Sequence, residues 1–175
     1  MRRIRYSVAM SLDGYIAGPN DEIDWIIMDP DIDFVALMSR FDTVLMGRHS
    51  YEATLALGEG SSMPGMKTVV VSRTLPQEDH PNVEVIGEGL EETITRLRAE
   101  PGKDIWLFGG GVLFRSLLDA RLVDTVEVAI IPVLLGAGKP LLPPPGDRAT
   151  LHLIERKVYE KTGTVLLEYA VKKAE

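Results

Sequence analysis

The most constraining feature of this sequence is an apolar run that meets three consecutive glycines and continues as a helical pattern. The run is Ile105-Trp106-Leu107-Phe108, the glycines are residues 109–111, and apolar residues then recur at helical spacing as far as Leu122. Four consecutive apolar residues predict a strand that is buried on both faces, as in a parallel sheet. The first amides of a helix that begins directly after such a strand have no partner within the helix, and they favour a phosphate or pyrophosphate. Taken alone, the glycines fit a tight turn without a ligand equally well.

Composition limits the class of protein. A length of 175 residues predicts a single domain over residues 1–175, and the net charge of −7 without a basic run argues against a nucleic-acid or anionic-membrane surface. The absence of cysteine excludes thiolate nucleophiles and cysteine metal sites, and the three histidines lie far apart in the sequence. No segment has the pattern of a signal peptide or the length of a membrane span. We therefore expect a cytoplasmic, metal-free protein.

Two further predicted strands end in polar and cationic residues. These are Gly47, Arg48, His49 and Ser50 after residues 43–46, and Ser72, Arg73 and Thr74 after residues 67–71. Helix caps and solvated arginines would explain each group separately. However, parallel strands place their carboxyl ends at one edge of a sheet, where open α/β folds bind ligands. Two arginines and several helix N-termini at that edge suit a ligand with several phosphates.

The remaining pattern is that of an α/β domain. Residues 4–10 predict a central strand, residues 89–100 an amphipathic helix, and residues 125–134 a long strand whose Pro132 places its far half at a sheet edge. Residues 151–171 predict a closing antiparallel hairpin.

An acidic segment supplies the candidate catalytic groups. Asp31 and Asp33 begin a predicted helix over residues 31–40. Acidic residues are favoured in the first turn of any helix, so helix-end electrostatics is one interpretation. The other is a carboxylate at the mouth of an apolar cleft lined by Trp25 and Phe34, where it would bind a ring nitrogen and an amino group.

Four motifs, in matching order, resemble the dihydrofolate reductase superfamily from about residue 4 to residue 170. They are VAMSLDGYIA at 8–17, LMGRHSYE at 45–52, VVSR at 70–73 and FGGG at 108–111. The segment PVLLGAGKPL at 132–141 resembles the narrower branch typified by the reductase domain of the bifunctional riboflavin-biosynthesis deaminase-reductase. The resemblance implies a three-layer α/β fold, with a mixed, mostly parallel eight-stranded sheet flanked by about four helices.

The same resemblance implies an oxidoreductase that uses NADPH. It places Arg48, His49 and Ser50 at the adenosine side and the pyrophosphate, and Ser72 and Arg73 at the 2′-phosphate. It also implies a cis peptide between Gly109 and Gly110. The full set of cofactor residues is Ala9, Ile16, Ala17, Gly47, Arg48, His49, Ser50, Ser72, Arg73, Thr74, Gly109, Gly110, Gly111, Val112, Leu113 and Phe114. Counting back from Gly47 without gaps puts the family's substrate-binding acid at Asp31, with Asp33 as the alternative.

One departure from the family pattern bears on the substrate. Folate-reducing members carry an arginine after a Pro-Gly pair, whereas here Pro64-Gly65 is followed by Met66. The resemblance therefore favours hydride transfer to a pyrimidine-type substrate, as in 5-amino-6-(5-phosphoribosylamino)uracil reductase. A dihydrofolate or pteridine reductase and a non-catalytic NADP-binding module are the alternatives. Members of the branch are commonly dimers, so we expect a homodimer.

Overall fold

The computed structural model describes residues 1–58 and 65–172, and within them there are ten strands and four α-helices. The strands are β1 (Ile4–Ser11), β2 (Tyr15–Ala17), β3 (Phe41–Gly47), β4 (Lys67–Val71), β5 (Glu84–Ile86), β6 (Asp104–Gly109), β7 (Thr125–Ile131), β8 (Lys139–Pro140), β9 (Leu151–Tyr159) and β10 (Thr164–Val171). The helices are α1 (Phe34–Met38), α2 (Arg48–Ala56), α3 (Leu90–Ala99) and α4 (Gly111–Asp119), and a 3-10 turn covers Gln77–Asp79.

Eight strands form the main sheet in the order β5-β4-β3-β6-β1-β7-β10-β9. The first six are parallel to one another, while β10 is antiparallel to both β7 and β9. Strands β2 and β8 form a separate antiparallel pair. The predicted mixed, mostly parallel eight-stranded sheet with four helices and a closing hairpin is thus confirmed.

The two faces of β6 have different surroundings. Ile105 and Leu107 are fully buried in the main core beneath α4. Trp106 and Phe108, on the other face, are only half-buried and line a large cavity. The prediction of a strand buried on both faces was therefore wrong for this second face, because both rings pack beside a second core cluster on one side and border the cavity on the other.

Two predicted element boundaries were also too long. The helix expected over residues 31–40 begins only at Phe34, because the Asp33 carboxylate caps it by accepting a hydrogen bond from Ala36 N at 2.9 Å. The strand expected over residues 125–134 ends at Ile131, since Pro132 has no N–H to continue the ladder. Strand β7 lies between β1 and β10, so its far half is not at an edge.

Candidate active site

One cavity of about 1910 Å³ opens at the carboxyl ends of the parallel strands. The ends of β3, β4 and β6, which are adjacent in the sheet, contribute Gly47, Val71 and Gly109 to its lining. Pockets for a single small ligand usually measure roughly 300–1,000 Å³. This cavity therefore has room for a dinucleotide and a second ligand side by side.

The triple-glycine turn forms one wall of the cavity. The Gly109–Gly110 peptide bond is cis, as the family resemblance implies. Gly110 is the N-cap of α4 and provides no side-chain hydrogen bond, so the first amides of the helix stay available. A Cβ atom on Gly111 would lie only 2.8 Å from Pro140 O. Only glycine fits at this position, because the end of β8 and the residues after it lie directly against the start of the helix.

A second wall carries the cationic groups. Helix α2 begins at Arg48, and its N-cap Gly47 likewise makes no side-chain hydrogen bond. Arg48 Nη1 donates to Thr74 Oγ1 at 2.7 Å, and the nearly buried Ser72 hydroxyl accepts a hydrogen bond from Thr74 N at 3.2 Å. Arg73 is exposed and lines the cavity, and it has no hydrogen bond or ion pair within the part of the chain that the structure describes. Its guanidinium is therefore available to a ligand.

Most of the residues predicted for the site line this one cavity. They are Ala9, Ile16, Ala17, Asp33, Phe34, Gly47, Arg48, His49, Ser50, Ser72, Arg73, Gly109, Gly110, Gly111, Val112 and Leu113. The structure thus brings together groups that are up to about a hundred positions apart in the sequence.

Four predicted residues lie elsewhere. Thr74 is exposed and does not line the cavity, and its hydroxyl accepts the hydrogen bond from Arg48. Phe114 is in the core with its ring stacked on Tyr6 at a centroid distance of 3.8 Å. Trp25 Nε1 donates to the main-chain oxygen of Glu22 at 3.0 Å.

Asp31, the fourth, is exposed, and its carboxylate is paired with Lys161 Nζ at 2.6 Å. This ion pair raises the pKa of Lys161. Of the two candidate acids, only Asp33 lines the cavity. Its Oδ1 caps α1, while its Oδ2 has no hydrogen bond among the described residues and is free to bind a ligand.

Sequence reasoning missed the floor of the cavity, which the sheet provides. Ser7 on β1, Trp106 on β6 and Arg40 before β3 all line it. Trp106 Nε1 donates to Ser7 O at 3.0 Å, which fixes the indole ring. The sequence does contain a sign of this floor. Side chains alternate between the two faces of β1, and Arg5, Ser7 and Ala9, which share one face, are less apolar than those of a strand buried on both faces.

An ionic network lies beside this floor, on the same face of the sheet. Arg5 donates to Asp104 Oδ2 at 2.7 Å and to Glu127 Oε1 at 2.5 Å, and Arg40 donates to Glu127 Oε2 at 2.6 Å. Burial would lower the pKa of Arg5, but the neighbouring carboxylates outweigh burial and raise it. Burial would likewise raise the pKa of Asp104, yet the hydrogen bond from Arg5 keeps it below its ordinary value. Arg5 and Asp104 are therefore charged at neutral pH, and the hydrogen bond to Glu127 holds Arg40 in place at the cavity floor.

Within residues 1–58 and 65–172, no cluster of three or more His, Cys, Asp or Glu side chains is arranged to hold a metal ion. No helix in these two ranges has the length and apolar character needed to cross a membrane.

The fold is that of the dihydrofolate reductase class. Dihydrofolate reductase from Enterococcus faecalis, solved as a complex with NADP(H) and RAB-propyl, superposes with a TM-score of 0.72 at 17% identity and covers 98% of this chain and 97% of its own. The deaminase–5-amino-6-(5-phosphoribosylamino)uracil reductase of Thermotoga maritima superposes with a TM-score of 0.70 at 17% identity. That match covers 98% of this chain but 57% of the bifunctional protein.

Within this class, the chain belongs to the RibD C-terminal domain family, whose model matches residues 2–167. It is 35% identical over 179 residues to YyaP, an uncharacterized protein of Bacillus subtilis (strain 168), with coverage of 96% of this chain and 94% of YyaP. A crystal structure from Shewanella sp. PV-4, of a protein provisionally named for riboflavin biosynthesis, superposes with a TM-score of 0.82 at 29% identity and covers 99% of this chain and 100% of its own. The resemblance found in the sequence motifs is confirmed.

Proposed function

We propose that this protein is an NADPH-dependent reductase that transfers hydride to a pyrimidine-type substrate, like 5-amino-6-(5-phosphoribosylamino)uracil reductase. The observation that carries the proposal is the cavity of about 1910 Å³, whose lining combines cationic and glycine-rich segments with the aromatic side chains of Trp106 and Phe108. Membership of the RibD C-terminal domain family supports the same reaction class. The T. maritima neighbour, which is named for this reductase activity, adds support at the level of the fold.

The cationic and glycine-rich segments fit a dinucleotide with a 2′-phosphate. The N-termini of α2 and α4, neither of which has a side-chain cap, would bind the pyrophosphate. Arg73 and Ser72 would bind the 2′-phosphate, with Arg48 beside them, and Ala9, Ile16 and Ala17 would contact the nicotinamide ring. When bound, NADPH would supply the hydride from C4 of its nicotinamide.

The aromatic side chains would hold the substrate ring. Phe34, Trp106 and Phe108 provide apolar surfaces that exclude water from the reacting atoms. We assign the substrate-binding carboxylate to Asp33, because it lines the cavity and has one oxygen free, whereas Asp31 is paired with Lys161. Asp33 would bind the polar edge of the ring and hold or deliver a proton there, directly or through water.

The test is to follow NADPH absorbance with 5-amino-6-(5-phosphoribosylamino)uracil and with dihydrofolate in parallel. We expect oxidation with the aminouracil and little with dihydrofolate, since the side chain of Met66 packs beside a core cluster and supplies no cation for a folate carboxylate. Pro64, the other residue of that motif, lies outside the described residues. Faster oxidation with dihydrofolate would favour a pteridine reductase instead. NADPH binding without oxidation by either compound would indicate a non-catalytic NADP-binding module.

We also propose that the protein is a homodimer. Strand β9 is at the edge of the main sheet, and its Leu153, Ile154 and Val158 side chains are 41%, 51% and 61% exposed. Exposed apolar side chains grouped on one strand are typical of an interaction surface. Size-exclusion chromatography with light scattering should give twice the chain mass for the wild type and the chain mass for Val158→Asp. A monomeric wild type would contradict the proposal.

A further inference from the structure

A buried carboxylate fastens the turn between β9 and β10 to the segment that precedes α1. Asp29 is 2% exposed, and its Oδ2 accepts hydrogen bonds from Thr162 N at 3.0 Å and Thr162 Oγ1 at 2.9 Å. Its Oδ1 accepts a hydrogen bond from Asp31 N at 2.9 Å. Burial would raise the pKa of Asp29, but these donors keep it below its ordinary value. The carboxylate is therefore charged at neutral pH, and a buried charge of this kind is tolerated only while its partners stay in place.

The chain of hydrogen bonds continues to the wall of the cavity. Thr162 Oγ1 and Thr164 Oγ1 are 2.9 Å apart, and Thr164 is 1% exposed and lines the cavity. A hydroxyl has one proton to donate. Because Thr162 gives its proton to Asp29, Thr164 must donate to Thr162. The order is thus Thr164 to Thr162 to Asp29, from the cavity wall to the loop.

The two parts joined in this way both line the same cavity. The loop before α1 contributes Ile27 and Ile32, while β9 and β10 contribute Tyr159, Thr164 and Leu166. Helix α1 has only five residues and none of them is buried. Apolar packing therefore does little to hold this helix and its loop against the sheet. Polar contacts join them to the β9–β10 turn instead, and of these the Asp29 contact is buried whereas the Asp31–Lys161 ion pair is exposed.

We propose that Asp29 and Thr162 are positioning residues that set the separation between these two parts of the cavity lining around the substrate ring. The proposal rests on the proposed function, because it treats this part of the cavity as the substrate site. Asp33 lies four residues after Asp29, so a loop that moved away from the β9–β10 turn would also carry Asp33 out of position. Loss of the contact would weaken substrate binding and leave the cofactor site unchanged.

The first test is kinetic and uses the pair Thr162→Val and Thr162→Ser. Valine has the shape of threonine without the hydroxyl, whereas serine keeps it. We expect Thr162→Val to raise the KM for the aminouracil by about tenfold, as expected for loss of a hydrogen bond to a charged group, with NADPH affinity within about twofold of wild type. Thr162→Ser should behave like the wild type. An unchanged KM in Thr162→Val, or an equal loss of NADPH affinity, would overturn the proposal.

The second test needs no substrate, so it stays informative if the proposed activity is absent. The chain has two tryptophans, and Trp25→Phe leaves Trp106, on the cavity floor, as the only one. In that background, we expect acrylamide to quench the fluorescence of Trp106 at least about twofold more strongly in the Thr162→Val variant than in the Thr162→Ser variant. The reason is that local opening of the cavity wall admits the quencher. Asp29→Asn provides a second variant with the same expected direction, should the valine variant not fold. Equal quenching in all variants would refute the positioning role, whatever the enzyme assays show.

Discussion

Arg73 is the cavity residue whose contribution to cofactor binding is simplest to measure. Its guanidinium has no hydrogen bond or ion pair in the described ranges, so its substitution breaks no contact within the protein there. We expect Arg73→Ala to weaken NADPH binding by roughly 10- to 100-fold, the range for a lost hydrogen bond to a charged group, and to change NADH binding little. The difference arises because only NADPH carries the 2′-phosphate. Titration of each cofactor by protein fluorescence measures it.

The matched control for this change is Arg148→Ala. Arg148 is exposed and lies outside the cavity lining, so its loss removes the same charge from the molecule without touching the site. It should leave the ratio of NADPH to NADH affinity at the wild-type value. Equal losses for the two cofactors in Arg73→Ala would count against a 2′-phosphate contact.

A second prediction for single residues concerns the two candidate acids, Asp31 and Asp33. Asp33→Asn should reduce kcat by about a hundredfold or more, as for loss of a positioned proton donor, while NADPH affinity stays close to wild type. Asparagine remains a good N-cap, so α1 should persist. Asp31→Asn should have a small effect, because it removes only an exposed ion pair. If Asp31→Asn reduced kcat more than Asp33→Asn, the substrate-binding carboxylate would be Asp31 instead.

The position of the acid shows the limit of residue-by-residue reasoning from sequence. Counting back from Gly47 without gaps led to Asp31, but the spacing depends on how many residues α1 and its flanking turns use. That number has no local sequence signal, and the loop before α1 makes a tertiary contact, the hydrogen bonds of Asp29 to Thr162, which lies 133 positions away. Phe114 was misplaced for a related reason. It follows the glycines directly, but the helical turn points its side chain toward Tyr6 and the core.

At the scale of elements, the start of α4 depends on the absence of a side chain at Gly111. Gly111→Ala should lower the melting temperature by about 2–12 °C, because overpacking of this kind costs roughly 1–3 kcal/mol in a domain of this size. The new Cβ would meet Pro140 O and Pro143 Cδ at 2.8 and 2.9 Å. Thermal unfolding followed by circular dichroism measures the shift. NADPH affinity should fall as well, since the helix start and its amides would be displaced.

Gly87→Ala is the control for this element. A Cβ atom there would lie 3.7 Å from Ser72 O, which is an ordinary contact, and Gly87 does not have a positive φ. Its melting temperature should stay within about 1 °C of wild type, as for most substitutions away from packing defects. If Gly111→Ala and Gly87→Ala had the same melting temperature, the close approach of Pro140 O would not be the reason for glycine at position 111.

Elements with a strong local pattern were predicted well, and those without one were missed. Strands β4, β9 and β10 appear with the expected bounds, because long apolar or alternating runs specify them. Strands β2 and β8 have three and two residues, too few for any period to appear. They form by pairing with each other across a long stretch of sequence. Gly138 packs so closely against Ala17 O that no Cβ would fit, and neither segment alone indicates this contact.

At the scale of the whole molecule, the sequence predicts the architecture because all the parallel strands except β7 end at or next to a glycine or a serine and lead into a helix or loop. This repeated order defines a sheet with one functional edge. The charged interior was not predictable. Arg5, Asp104, Glu127 and Glu168 lie on four different strands, and only the strand order makes them neighbours.

This network and the Asp29 contact predict how the stability of the whole protein depends on pH. Hydrogen bonds from Arg5 keep the pKa of Asp104 below its ordinary value of 3.8 against the effect of burial, and Thr162 and the Asp31 amide do the same for Asp29. A carboxyl whose pKa is lower in the folded state binds more protons when unfolded. Its contribution to the free energy of unfolding is therefore fully present above about pH 4 and is lost as the pH falls through the folded pKa.

We accordingly expect the urea midpoint to hold from about pH 7 to about pH 5 and to decrease between about pH 4 and about pH 2. Asp104→Asn should lower the urea midpoint at neutral pH, because Arg5 loses a charged partner. It should also make the decrease of the midpoint below about pH 4, the acid limb, less steep, because one of the titrating groups has been removed. A midpoint that stays constant or rises on acidification would mean that these carboxylates are not stabilised by their partners in the folded protein. An acid limb of unchanged steepness in Asp104→Asn would assign the titration to other groups, with Asp29→Asn as the next variant to compare.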